Sequence, residues 1–144
     1  MSAEKTYKGF ASFITQSVNS TLSVLKIIIQ SSFSIRLPVA KSSKCIVLAN
    51  GPSLKQSLEK NPDIFTKNSL ICVNTFAVTP EFSKLKPSYY VMLDPFLWEI
   101  ENKMNIATFK NLEEKTDWKL HFLIPKQVIN HPVFQNLQKK NKNV

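Results

Sequence analysis

Glycine is almost missing from this chain: it has 2 in 144 residues, where ordinary usage of roughly 7% would give about ten. Gly9 and Gly51 lie far apart, so neither a G-x-G-x-x-G dinucleotide fingerprint nor a G-x-x-x-x-G-K-[ST] phosphate loop can be built. Arginine is scarcer still. Arg36 stands alone against 18 lysines, whereas base readout and bidentate phosphate clamps favour arginine, so nucleic acid is excluded as the expected partner. Only two cysteines occur, Cys45 and Cys72, each inside an apolar run and without the Cys/His spacing of a zinc site. They point to a reduced, cytoplasmic setting. No uninterrupted apolar run is long enough for a spanning helix, because Lys26, Gln30 and Arg36 break up residues 22–37.

With 43% hydrophobic and 20% charged residues, the composition is that of one globular domain with a real core. The net charge of +9 is concentrated in the two flanks, residues 1–44 and 118–144, and the middle is close to neutral. Lysine-rich flanks fit solubility, or weak attraction to an anionic membrane surface.

From Phe10 onward, Ile14, Val18, Leu22, Leu25 and Ile28/Ile29 recur at steps of three and four and stack on one helical face. A long amphipathic helix is predicted, its stripe either packing on protein or lying at a membrane through residues 8–37, with Lys5, Lys8 and Lys26 toward lipid phosphates. Pro38 closes the segment and Lys41 to Lys44 read as a linker, so residues 1–43 form helix and linker. Beyond it, apolar runs at 45–49, 70–73, 89–93 and 120–124 alternate with helical stretches at 54–59, after Pro80, and at 96–115, with a turn at Asn61-Pro62-Asp63. This β-α-β-α-β-α-β order predicts an α/β fold, a Rossmann-like parallel sheet with helices on both faces, over residues 44–137. Residues 138–144 read as a basic, frayed tail.

In an open parallel sheet a ligand sits beyond the carboxyl ends of the strands. The first three runs end in Asn50-Gly51-Pro52-Ser53, in Asn74-Thr75 and in Asp94-Pro95. These small polar residues at adjacent strand ends form the candidate nucleotide-binding set: Asn50, Gly51, Pro52, Ser53, Asn74, Thr75 and Asp94. Gly51 permits positive φ and close ligand approach, Pro52 fits a first helical position, and Ser53 lies in a first turn whose free N–H groups attract phosphate. Asp94 is either a helix cap for the segment after it or a metal ligand. His121 sits in a strand-like stretch and His131 lacks an orienting carboxylate, so no catalytic residue is assigned. Phe76, Phe82, Tyr89, Tyr90 and Trp98 are expected in the core.

The runs Ile46 to Lys55 (IVLANGPSLK), Val73 to Phe76 and Tyr89 to Pro95 (YYVMLDP) resemble the amino-terminal half of the bacterial sialyltransferases of glycosyltransferase family 42. They are also similar to the domain shared by motility-accessory-factor glycosyltransferases and 6-hydroxymethylpterin pyrophosphokinase-like proteins. The resemblance covers about residues 44–125. It implies binding of a nucleotide-activated sugar of the CMP-sialic acid type by Asn50, Gly51, Ser53 and Asn74, for bacterial surface-glycan synthesis, with a glycan acceptor as second substrate and no cofactor. It further implies that the family's catalytic half is lacking. Asp94 stands where the sialyltransferases carry asparagine, which matches the pyrophosphokinase-like branch, an ATP- and Mg²⁺-dependent phosphotransfer. A third possibility is a non-enzymatic membrane-associated module built on the amino-terminal helix. The implied location is cytoplasmic, peripheral at the inner face of the membrane.

Overall fold

The computed structural model describes residues 2–31 and 42–144, with backbone only for residues 2–11. The chain divides into two compact units, Met1–Arg36 and Leu37–Val144. In the first, helix α1 (Ser2–Gln30) begins earlier than the apolar stripe alone predicts. Its stripe stays exposed, from 47% at Ile14 to 75% at Ile29. Pro38, Lys41 and Arg36 lie outside the described residues, as do the side chains of Lys5 and Lys8.

The second unit is an α/β fold. Four strands, β1 (Cys45–Leu48), β2 (Ser69–Val73), β3 (Tyr89–Val91) and β4 (His121–Leu123), pair entirely in parallel in the order β1-β2-β3-β4. Helices α2 (Ser53–Lys60), α3 (Pro62–Lys67), α4 (Pro80–Leu85), α5 (Lys103–Lys115) and α6 (Pro132–Lys140) connect and follow them. Asn61-Pro62-Asp63, expected as a turn, starts α3, because proline suits a first helical position and Asp63 faces the positive end of the helix. Residues 96–115 are divided: Pro95–Trp98 form a short 3-10 helix, and α5 begins afresh where the Asn102 side chain accepts from the N–H groups of Met104 and Asn105.

Sequential order has a consequence for the layers. Each crossover steps the same way, so right-handed connections put every connecting helix on one face. Leu48, Leu70, Cys72 and Tyr90 are buried on that face, in one cluster with Leu54 and Leu58 of α2, Phe82 of α4, Leu112 of α5 and Phe134 of α6. The registered residues between them, Val47, Ile71, Tyr89 and His121, then Val73, Val91 and Leu123, share the other face and are half-buried or exposed, Val47 at 63%. Helices on both faces were expected; this unit has its helical layer on one. Tyr89 accordingly leaves the core and stacks on His121 at 5.4 Å, while Phe76, Phe82, Tyr90 and Trp98 are buried as expected.

The carboxyl-terminal residues are not frayed. Asn141 is buried, and its Nδ2 donates to the carbonyls of Leu112, Glu113 and Thr116, closing the end of α5. Leu120 N–H donates to Asn143 O at 2.7 Å, and Val144 packs on the core. Lysine-rich composition hid this, because the anchoring groups are asparagine amides.

Burial raises the Cys72 thiol and the Tyr90 phenol well above their usual ranges. In the folded state both groups stay neutral where the unfolded chain would ionise. Their contribution to stability is complete below about pH 8.5 and is lost progressively as pH rises past the unfolded values of about 8.5 and 10. A denaturation series from pH 7 to 11 should show this alkaline fall, and in the native protein Ellman's reagent should label the exposed Cys45 at once and Cys72 only on unfolding. Equal labelling rates would show that β2 is not held closed.

Candidate functional site

The chain leaves β1 through a tight turn. Gly51 N–H donates to Ala49 O at 2.8 Å, Leu54 N–H to Gly51 O at 3.2 Å, and Pro52 already has helical dihedrals (φ −62°, ψ −22°) one residue before α2. Gly51 does not use the positive φ that glycine would permit. A Cβ added to it would meet only Ser53 Oγ, at an ordinary 3.8 Å, so nothing within the chain demands glycine there. Gly51 instead lines a cavity of about 350 Å³ together with Asn50, Pro52, Leu54, Lys55, Thr79 and Glu81, and its missing side chain leaves that wall open.

The left-handed conformation falls on Asn74 (φ 55°), where β2 ends. Asparagine is among the few non-glycine residues that enter this region readily. Asn74 N–H still donates to Val91 O of β3 at 3.1 Å. The next residue faces back toward β1: Asn50 Nδ2 donates to Thr75 Oγ1 at 2.9 Å across 25 positions of sequence. With that oxygen accepting, the Thr75 hydroxyl proton is available to donate outward, and Asn50 Oδ1 remains an acceptor. The ends of β1 and β2 therefore present a paired donor and acceptor beside the cavity.

The predicted residues are thus brought together in part. Asn50, Gly51 and Pro52 line the cavity, and Thr75 is bonded to Asn50. Asn74 shapes the turn that carries Thr75, and Ser53 opens α2 just beyond the lining. Asp94 is elsewhere: it caps the 3-10 helix after β3, accepting from Phe96 N–H at 3.0 Å, and does not line this cavity. Among the described residues no group of three or more histidine, cysteine, aspartate or glutamate side chains could hold a metal ion. His131 caps α6, its Nδ1 accepting from Val133 N–H at 3.4 Å.

Leu54, Lys55, Thr79 and Glu81 complete the lining and were not in the predicted set. Thr79 and Glu81 flank Pro80 at the start of α4, so the signal that could have found them is the Thr79-Pro80 helix start following a strand end. A larger cavity, about 500 Å³, lies between α5 and α6 with walls of Ile100, Ile106, Phe109, Val133 and Leu137. Lys110, Glu113 and Asn136 also line it, but its surface is mainly apolar, and the smaller cavity, at the carboxyl ends of the strands, is the better candidate. Comparison with protein-family models, with curated proteins and with solved structures finds no match to this chain. No helix among the described residues is long and apolar enough to cross a membrane.

Proposed function

We propose that the strand-end cavity binds the nucleotide of an activated sugar, of the CMP-sugar type, in glycosyl transfer to a glycan acceptor. The observation that carries this reading is the Asn50–Thr75 bond, which joins the carboxyl ends of two adjacent parallel strands beside a wall kept open at Gly51. In such a transfer the acceptor hydroxyl, losing its proton to a base, attacks the anomeric carbon, and the bond to the nucleotide phosphate breaks with its electrons on the phosphate. The contribution of the strand-end cavity is to hold that leaving phosphate. In this reading the Lys55 ammonium in the cavity wall and the Thr75 hydroxyl, bonded to Asn50 beside it, serve as donors to that phosphate. No general base is assigned.

Thermal-shift and calorimetric titration with CMP, CDP, UDP and ATP, each with and without Mg²⁺, tests the reading. Metal-independent preference for cytidine nucleotides is expected, and Asn50→Ala should weaken it at least tenfold without unfolding the protein. Mg²⁺-dependent ATP binding would transfer the assignment to the pyrophosphokinase-like branch. Binding of none of the four would sink both.

A second reading has its own observation. The exposed stripe of α1, Ile14, Val18, Leu22, Leu25 and Ile28, suits the boundary of an anionic bilayer, which would place the protein in the cytoplasm at the inner membrane face. Flotation with anionic liposomes should then be lost on removing residues 1–37.

A further inference from the structure

Tyr90 lies in the middle of β3 with no exposed surface, and its ring is an ordinary core member, edge-on to Phe82 at 6.0 Å and to Phe122 at 5.4 Å. Phenylalanine would serve those contacts equally well. The hydroxyl is what needs explaining, since both of its hydrogen bonds go to a single turn. It donates to Asn74 O at 2.5 Å and accepts from Ala77 N–H at 3.0 Å. Asn74 has turned left-handed out of the sheet, so its carbonyl cannot continue the ladder. Ala77 O at the far end of the turn is bound separately, by Asn111 Nδ2 of α5 at 2.9 Å. Thr75 lies between the two groups that Tyr90 holds, and Thr75 Oγ1 is the atom that receives Asn50 Nδ2.

We propose that Tyr90 is the positioning residue of the strand-end cavity: its buried hydroxyl sets the turn from Asn74 to Ala77 and so aims Thr75 at Asn50. One chain of contacts then runs from β3 through the β2 turn to the end of β1, and it decides which polar atoms of Asn50 and Thr75 face a ligand. This rests on the reading of that cavity as the binding site. Tyr90 itself is buried beneath the turn and touches no ligand, acting only through Asn74 and Ala77.

The test uses the full chain labelled for NMR and follows the side-chain amide pair of Asn50 with no ligand, then CMP affinity. In Tyr90→Phe the fold is retained, the Asn50 amide signals move toward free-amide positions and exchange faster, and CMP affinity falls at least tenfold. Thr75→Val gives the same change at Asn50, and the double variant is no worse than the stronger single one, because both cut one chain of contacts. Trp118→Phe, which removes a 2.7 Å bond from Nε1 to Pro87 O, costs stability but leaves Asn50 and CMP affinity as they were. Unchanged Asn50 signals in Tyr90→Phe, or additive losses in the double variant, overturn the proposal. Should Tyr90→Phe not fold, native-state exchange of the wild type decides: the Tyr90 hydroxyl proton, Ala77 N–H and the Asn50 amide open together if the hydroxyl holds the turn, and Asn50 remaining protected while the other two exchange overturns it. If the wild type binds no nucleotide while Asn50 still responds to Tyr90→Phe, the binding reading fails and the positioning role stands.

Discussion

Replacing Asn141 with alanine is expected to cost about 3 kcal/mol, because one buried amide is shared among three carbonyls at the end of α5, and of these only Thr116 O keeps another side-chain donor, Asn143 Nδ2. For a domain of this size that is a fall in Tm on the order of 15 °C. Asn141→Asp should be worse at neutral pH, since a carboxylate would face three carbonyl oxygens and no donor among them. Its folded pKa would be raised, so the deficit relative to wild type should shrink as pH falls toward about 4, the unfolded value, and widen as pH rises through the folded one. Urea denaturation of all three proteins at pH 7 and pH 4 measures both effects. An Asn141→Ala variant within 1 kcal/mol of wild type would show that the chain end does not hold α5.

Phe82→Ala is the other large loss, about 3 to 5 kcal/mol. Phe82 is fully buried on α4, its ring 5.0 Å from Trp118 and 6.0 Å from Tyr90, so it joins the helical layer to the centre of the sheet. Removing it leaves a cavity between α4, Trp118 and Tyr90 of β3. Phe82→Leu, which refills most of the volume, should recover more than half of the loss. Equilibrium unfolding in urea checks both variants, and a cost for alanine below about 1.5 kcal/mol would mean that the site collapses around the missing ring.

The strands were legible because β-branched and aromatic residues gather in short runs bounded by Asn, Pro and Gly, and their parallel pairing followed from the helices between them. The layering was not. A continuous run such as Cys45 to Leu48 has the composition of a strand buried on both faces, and only the order β1-β2-β3-β4 reveals that alternate residues, Val47 and Ile71 among them, face away from the helices. The end of β3 was also overextended: Met92 N–H still reaches Leu123 O, but Leu93 is already exposed, because Asp94 turns the chain into its 3-10 helix. At the candidate site, Asn50 and Thr75 were readable as strand-end residues, yet their bond joins positions 25 apart, and Tyr90 looked like any core aromatic. Local pattern places residues at strand ends; only tertiary geometry shows which of them meet.

Among the described residues, the two left-handed ones other than glycine, Asn74 and Lys86, bear on how this chain could be altered. Each occupies a conformation that a side chain enters at a cost on the order of 1 kcal/mol, and each is held there by outside contacts, Asn74 by Tyr90 and Val91, Lys86 by an ion pair to Asp117 at 2.8 Å that keeps the Asp117 carboxyl below its ordinary range. A protein so sparing with glycine has left two places where adding one relieves strain, and they are not equivalent. At 86 the relief is set against loss of the Asp117 pair and of the ammonium over the Trp118 ring, and only stability is touched, whereas at 74 the freer backbone would loosen the one turn on which the strand-end geometry depends.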